Sequence, residues 1–209
     1  MRMRRKKNLI PRLNAVKELF AAAPEELRAA AGDKRLWAEL GCGMGSFAAR
    51  TARANPGIFY AAFERVPEAI VVAAEKSAGI PNIRFICRDA RELDQWLPSG
   101  AAERLFILFC DPWHKKKQSK RRLTHRDFLK IYAEILSKDG ELVFKTDNTP
   151  LFEFTLEELK ASGWNILTAA DDWHGDPSRD KDEPVSEYES RFIEKGQAIG
   201  RITARPNSK

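Results

Sequence analysis

The chain has 209 residues, 43% hydrophobic and 32% charged, with a formal net charge of +6. That composition excludes a disordered or fibrous chain, and the length suits one α/β domain with a full core. No apolar run approaches the ~20 residues of a membrane span and no secretory leader follows the basic start, so the expected address is the cytoplasm.

Residues 1–34 read as a basic arm (Arg2, Arg4, Arg5, Lys6, Lys7) and two short helical pieces, the second opened by Pro24. The main domain is expected over 35–209. Apolar runs predict strands over 36–40, 58–63, 83–87, 105–110, 141–145, 165–169 and 188–195. Amphipathic patterns between them predict helices over 46–54, 67–78, 90–97, 126–136 and 151–161. Alternation at this spacing implies an α/β fold, a seven-stranded, mostly parallel sheet with helices on both faces. The acidic segment 171–184, with Trp173 and His174, joins the last two predicted strands without a helix, so these are expected to pair as an antiparallel edge. A mobile connection is its first reading, a lid its second.

Gly41-Cys42-Gly43-Met44-Gly45 follows the first predicted strand and opens the first helix, where glycines let the backbone approach a ligand. Acids stand at four strand ends: Glu39, Glu64, Asp89 and Asp111. Glu64 is placed to take a ribose and Asp89 to reach an adenine edge. Each alone could be a plain helix cap. A dinucleotide loop prefers a third glycine one residue later and a helix end facing a pyrophosphate. Here Ser46 takes that place and the loop carries no basic side chain. A ring of carboxylates suits the positive sulfonium of S-adenosylmethionine and repels NAD.

Asp111-Pro112-Trp113 is followed at once by Lys115 to Arg122, six of whose eight residues are basic. Clustered charge beside a strand end points to phosphate, hence to a nucleic-acid substrate, although such runs are also ordinary solvated surface. Trp113 is either a rim packer or a stacking surface for a base. By contrast, Asp171 to Glu183 holds six acids against two bases. Cys42, Cys87 and Cys110 form no C-x-x-C pair and His114, His125 and His174 show no ligand spacing, so neither disulfides nor a metal are expected. The cysteines read as small apolar fillers.

Together, Glu39-Leu40-Gly41-x-Gly43-x-Gly45, Glu64, Asp89, Asp111-Pro112-Trp113-His114-Lys115, Lys117-Gln118-Ser119-Lys120-Arg121-Arg122, Thr146-Asp147 and Ser186-Glu187-Tyr188-Glu189 resemble bacterial tRNA (guanine-N7-)-methyltransferases over almost the entire chain. The chain departs from that pattern at Cys110, usually Pro, and at Ser186, usually Thr, where serine keeps the hydroxyl. The resemblance implies a Rossmann-like class I methyltransferase fold over 35–209, S-adenosylmethionine as cofactor, and methylation of guanosine at position 46 in the tRNA variable loop. It implies cofactor contacts by Glu39, Glu64, Asp89 and Asp111; Gly41, Gly43 and Gly45 are expected in the same pocket from their place after the strand, and Asp111 is expected to be the catalytic carboxylate. Substrate contacts fall to Lys115, Asp147, Ser186, Glu187, Tyr188 and Glu189, and the RNA grip to Lys117, Gln118, Ser119, Lys120, Arg121 and Arg122. The expected partner is tRNA, and the expected state a monomer or homodimer. A nicotinamide oxidoreductase, an RNA-binding module without catalysis and an exocyclic-amine methyltransferase are the competing readings.

Overall fold

The computed structural model describes residues 8–177, 179 and 183–207. The basic arm Arg2 to Lys7, and Asp180 and Asp182 of the acidic segment, lie outside the described residues. The chain divides into two compact units, residues 1–97 and 98–209.

In the first unit, α1 (Leu9–Ala15), a short 3-10 turn and α2 (Pro24–Ala31) precede β1 (Arg35–Leu40). Next come α3 (Ser46–Ala54), β2 (Ile58–Phe63), α4 (Pro67–Lys76) and β3 (Ile83–Ile86). All six residues of β2, Ile-Phe-Tyr-Ala-Ala-Phe, are buried, as befits a parallel strand covered on both faces. It pairs in parallel with β1 and with β3, bringing Leu40, Phe63 and Ile86 level with one another. The strand ends that carry Gly41, Glu64 and Cys87 are therefore side by side. The Arg12 guanidinium grips both oxygens of Glu75, at 2.6 and 2.5 Å, and ties α1 to α4. Where a single helix was predicted over 90–97, there is a 3-10 turn (Ala90–Glu92) and then one turn of helix, α5 (Leu93–Trp96).

The second unit runs β4 (Ala102–Leu108), a 3-10 turn (Lys116–Arg121), α6 (Arg126–Ile135), β5 (Leu136–Thr146), α7 (Thr149–Ala161), β6 (Trp164–Ala170), α8 (Glu187–Glu194) and β7 (Gly200–Pro206). The helix α6 buries Phe128, Leu129, Tyr132 and Ile135, one stripe at helical spacing. β4 and β5 are parallel, with Leu108 opposite Lys145. β7 runs against both β5 and β6. Within the first unit the strands run in the order β3-β2-β1, all parallel, and within the second in the order β4-β5-β7-β6, with β7 antiparallel to both its neighbours.

The strand predicted over 188–195 is instead the helix α8. Ser186 accepts from the Glu189 N–H while the Glu189 carboxylate accepts from the Ser186 N–H, a reciprocal cap that starts a helix. The seventh strand lies further on, at Gly200–Pro206. Its Ile202 and Ala204 alternate with Arg201, Thr203 and Arg205, and the flanking Gly and Pro mask the pattern. The expected antiparallel element is thus β7, one strand in from the edge, with β6 outermost.

Candidate active site

In the first unit the glycine loop hangs from β2: Gly41 N–H and Cys42 N–H both donate to the Phe63 carbonyl, at 2.8 and 3.0 Å. Gly45 adopts φ +70°, and a Cβ there would overlap the Cβ of Ala73 and approach its Cα to 2.8 Å. Only glycine lets α3 start this close to α4. Each oxygen of Glu64 takes one backbone N–H, from Gly43 at 3.1 Å and from Val66 at 2.9 Å, so this acid also fastens the loop. Asp89 caps the turn that follows it, accepting from Arg91 N–H at 3.1 Å, with Arg91 and Arg65 nearby. For Asp89 the bland reading, a cap, is present whatever else it binds.

Glu39 is 3% exposed and, among the described residues, its carboxyl receives only the Tyr60 hydroxyl, at 3.0 Å. Burial pushes its pKa up to about 8, the phenol holds it down, and the charge of Glu64 raises it further. Among the described residues no cation pairs with this buried acid, a local environment that a positively charged ligand would relieve. A basic side chain does reach the loop, from outside it: Lys76 Nζ donates to Ser46 Oγ at 2.8 Å. Local sequence could not show this, because α4 brings Lys76 back over 30 residues. Burial raises the thiol pKa values of Cys42, Cys87 and Cys110, the last to about 12. These are poor nucleophiles, consistent with fillers.

In the second unit β4 stops at Leu108, and two residues beyond it take left-handed backbone, Phe109 (φ 52°) and Trp113 (φ 43°). Asp111 between them is exposed, with no hydrogen bond or ion pair among the described residues. Asp147, just past the end of β5, is likewise exposed and uncommitted. Phe109 N–H donates to the Lys145 carbonyl at 2.9 Å, so the chain leaving β4 stays beside the end of β5. Phe109 stacks on Tyr188 and Phe192 of α8 at 6.2 and 5.9 Å between ring centroids.

The basic loop is not uniform. Lys115, Lys116, Lys117, Lys120 and Arg121 are exposed, while Gln118 and Ser119 are half-buried in the 3-10 turn. Arg121 lies over the Trp113 ring at 4.8 Å. Arg122 turns the other way, into the carbonyls of Pro112 and Trp113.

Sequence reasoning missed a buried charge network beneath α8. Lys145 is 1% exposed, and its ammonium lies 2.8 Å from both Glu183 and Glu189. Glu183 also accepts from Trp173 Nε1 and Arg201, at 3.1 and 3.2 Å, while Arg201 stacks on Trp173. His174 Nε2 is 3.1 Å from Glu189; burial lowers the His174 pKa below 6.5. Two cations thus balance two carboxylates. Glu189 is wholly buried, with Lys145, His174 and the Ser186 N–H around its oxygens. Tyr188 is 50% exposed. The Trp173 backbone N–H donates to the Ile199 carbonyl at 2.8 Å, so the described part of the acidic segment is anchored through both the backbone and the indole of this residue rather than lying free. The readable signal was Lys145 itself, a charge directly after the apolar run Leu142-Val143-Phe144 and still within the strand.

Among the described residues no three His, Cys, Asp or Glu side chains gather to hold a metal, and no helix is long and apolar enough to cross a membrane.

A family model described as "Putative methyltransferase" matches residues 33–202. The tRNA (guanine-N(7)-)-methyltransferase of Bacillus cytotoxicus is 36% identical over 212 residues, covering 98% of this chain and 97% of its own. That of Macrococcus caseolyticus is 39% identical over 80% of each chain. Among solved structures, an antibiotic-related methyltransferase superposes with a TM-score of 0.66 at 20% identity, covering 88% of this chain and 94% of its own. A 16S rRNA (adenine(1408)-N(1))-methyltransferase from Catenulisporales acidiphilia, solved with cosubstrate SAM, gives 0.61 at 16% identity, over 90% and 95%. At such identities these structures speak for the fold alone, the Rossmann-like class I methyltransferase fold. The near full-length likeness to the curated relatives goes further, and the chain belongs to the tRNA (guanine-N(7)-)-methyltransferase family.

Proposed function

We propose that this protein methylates N7 of the guanosine at position 46, in the variable loop of tRNA, using S-adenosylmethionine in the cytoplasm. The likeness over 98% and 80% of this chain to relatives named tRNA (guanine-N(7)-)-methyltransferase supports the N7 of guanine in tRNA, and the motif resemblance supports position 46. Two exposed carboxylates, Asp111 and Asp147, without a partner among the described residues, and the solvent-facing lysines that follow Asp111, support it. When bound, S-adenosylmethionine supplies an already activated methyl on a cationic sulfur. The first unit suits such a ligand. Its glycine loop admits close backbone approach, and its buried Glu39 has no cation paired with it among the described residues.

Guanine N7 presents an in-plane lone pair with no proton to lose, so the attack needs no base at that atom. The protein's work is alignment and electrostatic preorganisation, which can lower a barrier by about 7–11 kcal/mol when the fit is good. Asp111 is the carboxylate assigned to the reacting centre. Asp147 is assigned to accept from guanine N1–H and the exocyclic amine, groups that grow more acidic as N7 becomes cationic. Glu189, enclosed by Lys145 and His174, holds the start of α8 so that Ser186, Glu187 and Tyr188 face the substrate. Lys115, Lys116, Lys117 and Lys120 take phosphates. An unmodified tRNA transcript incubated with methyl-labelled cofactor should yield labelled 7-methylguanosine on nucleoside analysis. Label in N2-methylguanosine, or none, would reject the proposal.

A further inference from the structure

We infer that Arg122, the last cation of the basic loop, is not a phosphate contact but a positioning residue for Asp111. The inference rests on the proposed role of Asp111. Arg122 Nε donates to the Pro112 carbonyl at 2.9 Å and Nη2 to the Trp113 carbonyl at 3.2 Å. One edge of the planar fork is thereby spent on two consecutive carbonyls of the turn directly after Asp111. Its flat face packs on Phe154 at 4.3 Å. That leaves little of the guanidinium to meet RNA, in contrast to the exposed Lys117, Lys120 and Arg121.

The turn it holds needs holding. Trp113 sits at φ 43°, a left-handed conformation that is strained for a non-glycine residue and persists only when its surroundings over-determine it. A charge-assisted fork on the carbonyls flanking that residue is such a determinant. The other end of the clasp matters equally. Phe154 belongs to α7, whose cap Asn148 directly follows Asp147. Arg122 therefore ties the turn bearing Asp111 to the helix that begins beside Asp147, fixing one carboxylate's backbone relative to the other's. A loosened turn displaces Asp111 without removing any group that touches substrate.

The test separates grip from alignment by measuring tRNA affinity across a salt series alongside single-turnover methylation. Arg122→Gln should keep the parent salt slope and a Kd within about twofold, because no phosphate contact is lost. Its methylation rate at saturating tRNA should fall roughly 10- to 100-fold, the scale expected when a reacting group is misplaced by about an ångström. Arg122→Lys, which can reach one carbonyl but not both, should recover part of that rate. Should Arg122→Gln prove too unstable to assay, Phe154→Leu removes the platform and leaves the charge; it should lower the rate, again with the slope unchanged. A salt slope reduced by about one unit in Arg122→Gln, or a parental rate in either Arg122→Gln or Phe154→Leu, overturns the inference. Parent protein in the same assay keeps the two proposals apart. A parent that leaves guanine unmethylated refutes the functional reading, whereas an active parent with a fully active Arg122→Gln refutes only the clasp.

Discussion

Replacing Lys145 by methionine should be among the most damaging single changes outside the substrate-facing residues. Methionine keeps the length and apolar stem, so the packing of β5 is retained and only the cation goes. What it leaves behind is Glu189, wholly buried, facing a histidine whose pKa burial holds low, together with Glu183, which retains Arg201. Breaking a buried pair from one side costs about 3–5 kcal/mol, chiefly because the remaining charge stays desolvated. For a chain of this size each kcal/mol moves the melting temperature by about 2–4 °C, so Lys145→Met should melt roughly 6–20 °C below the parent. Adding Glu189→Gln restores neutrality, with Glu183 still opposite Arg201, and should recover most of that loss although activity stays low. Thermal melts of the parent, both single variants and the double variant form a complete cycle. A Lys145→Met melt within about 2 °C of the parent, or a double variant no better than the single, would refute the account of the network.

Other outcomes follow from the first unit and the loop. The Glu39 pKa, raised by burial from 4.5 to about 8, means the folded protein keeps a proton that the unfolded chain has released. Stability should fall as pH rises through that window, and Glu39→Gln should abolish this part of the slope in chemical denaturation. Because a cation favours the ionised form, cofactor affinity should rise towards pH 8 with proton release, visible as buffer-dependent binding heats; their absence would exclude Glu39 from the cofactor site. Gly45→Ala combines a left-handed φ with overlap on Ala73, and should cost about 2–4 kcal/mol with at least tenfold weaker cofactor binding, read by melts and titration. Lys117→Gln and Lys120→Gln should each lower the tRNA salt slope by about one unit; an unchanged slope returns that lysine to ordinary surface.

Much of the scaffold was legible because its signals are local. β2 is a continuous apolar run bounded by turn residues, and α3 starts where the glycines stop, so both were placed at their observed ends. The glycine loop and the acids at strand ends could be read for the same reason. The misreading of 188–195 shows the opposite case. Tyr188, Phe192 and Ile193 look like strand residues, and the Ser186–Glu189 spacing that caps a helix was read only as a substrate motif. β7 escaped notice because its alternation is short and its ends are glycine and proline. Long-range partnerships were invisible. Nothing near Lys145 in sequence announces Glu183 or Glu189, and nothing distinguishes Arg122 from Arg121 until the folded chain turns one onto carbonyls and the other onto an indole. Charge could be counted from the sequence; its direction required the fold.

The central claim is methyl transfer to one nitrogen of one guanosine in tRNA. The most direct measurement is strand scission at 7-methylguanosine, by reduction and aniline treatment, on transcripts carrying guanosine or adenosine at position 46 after incubation with protein and cofactor. The account predicts a single cut at position 46 in the first transcript and none in the second. Equal cutting of both, or cutting elsewhere only, would contradict it.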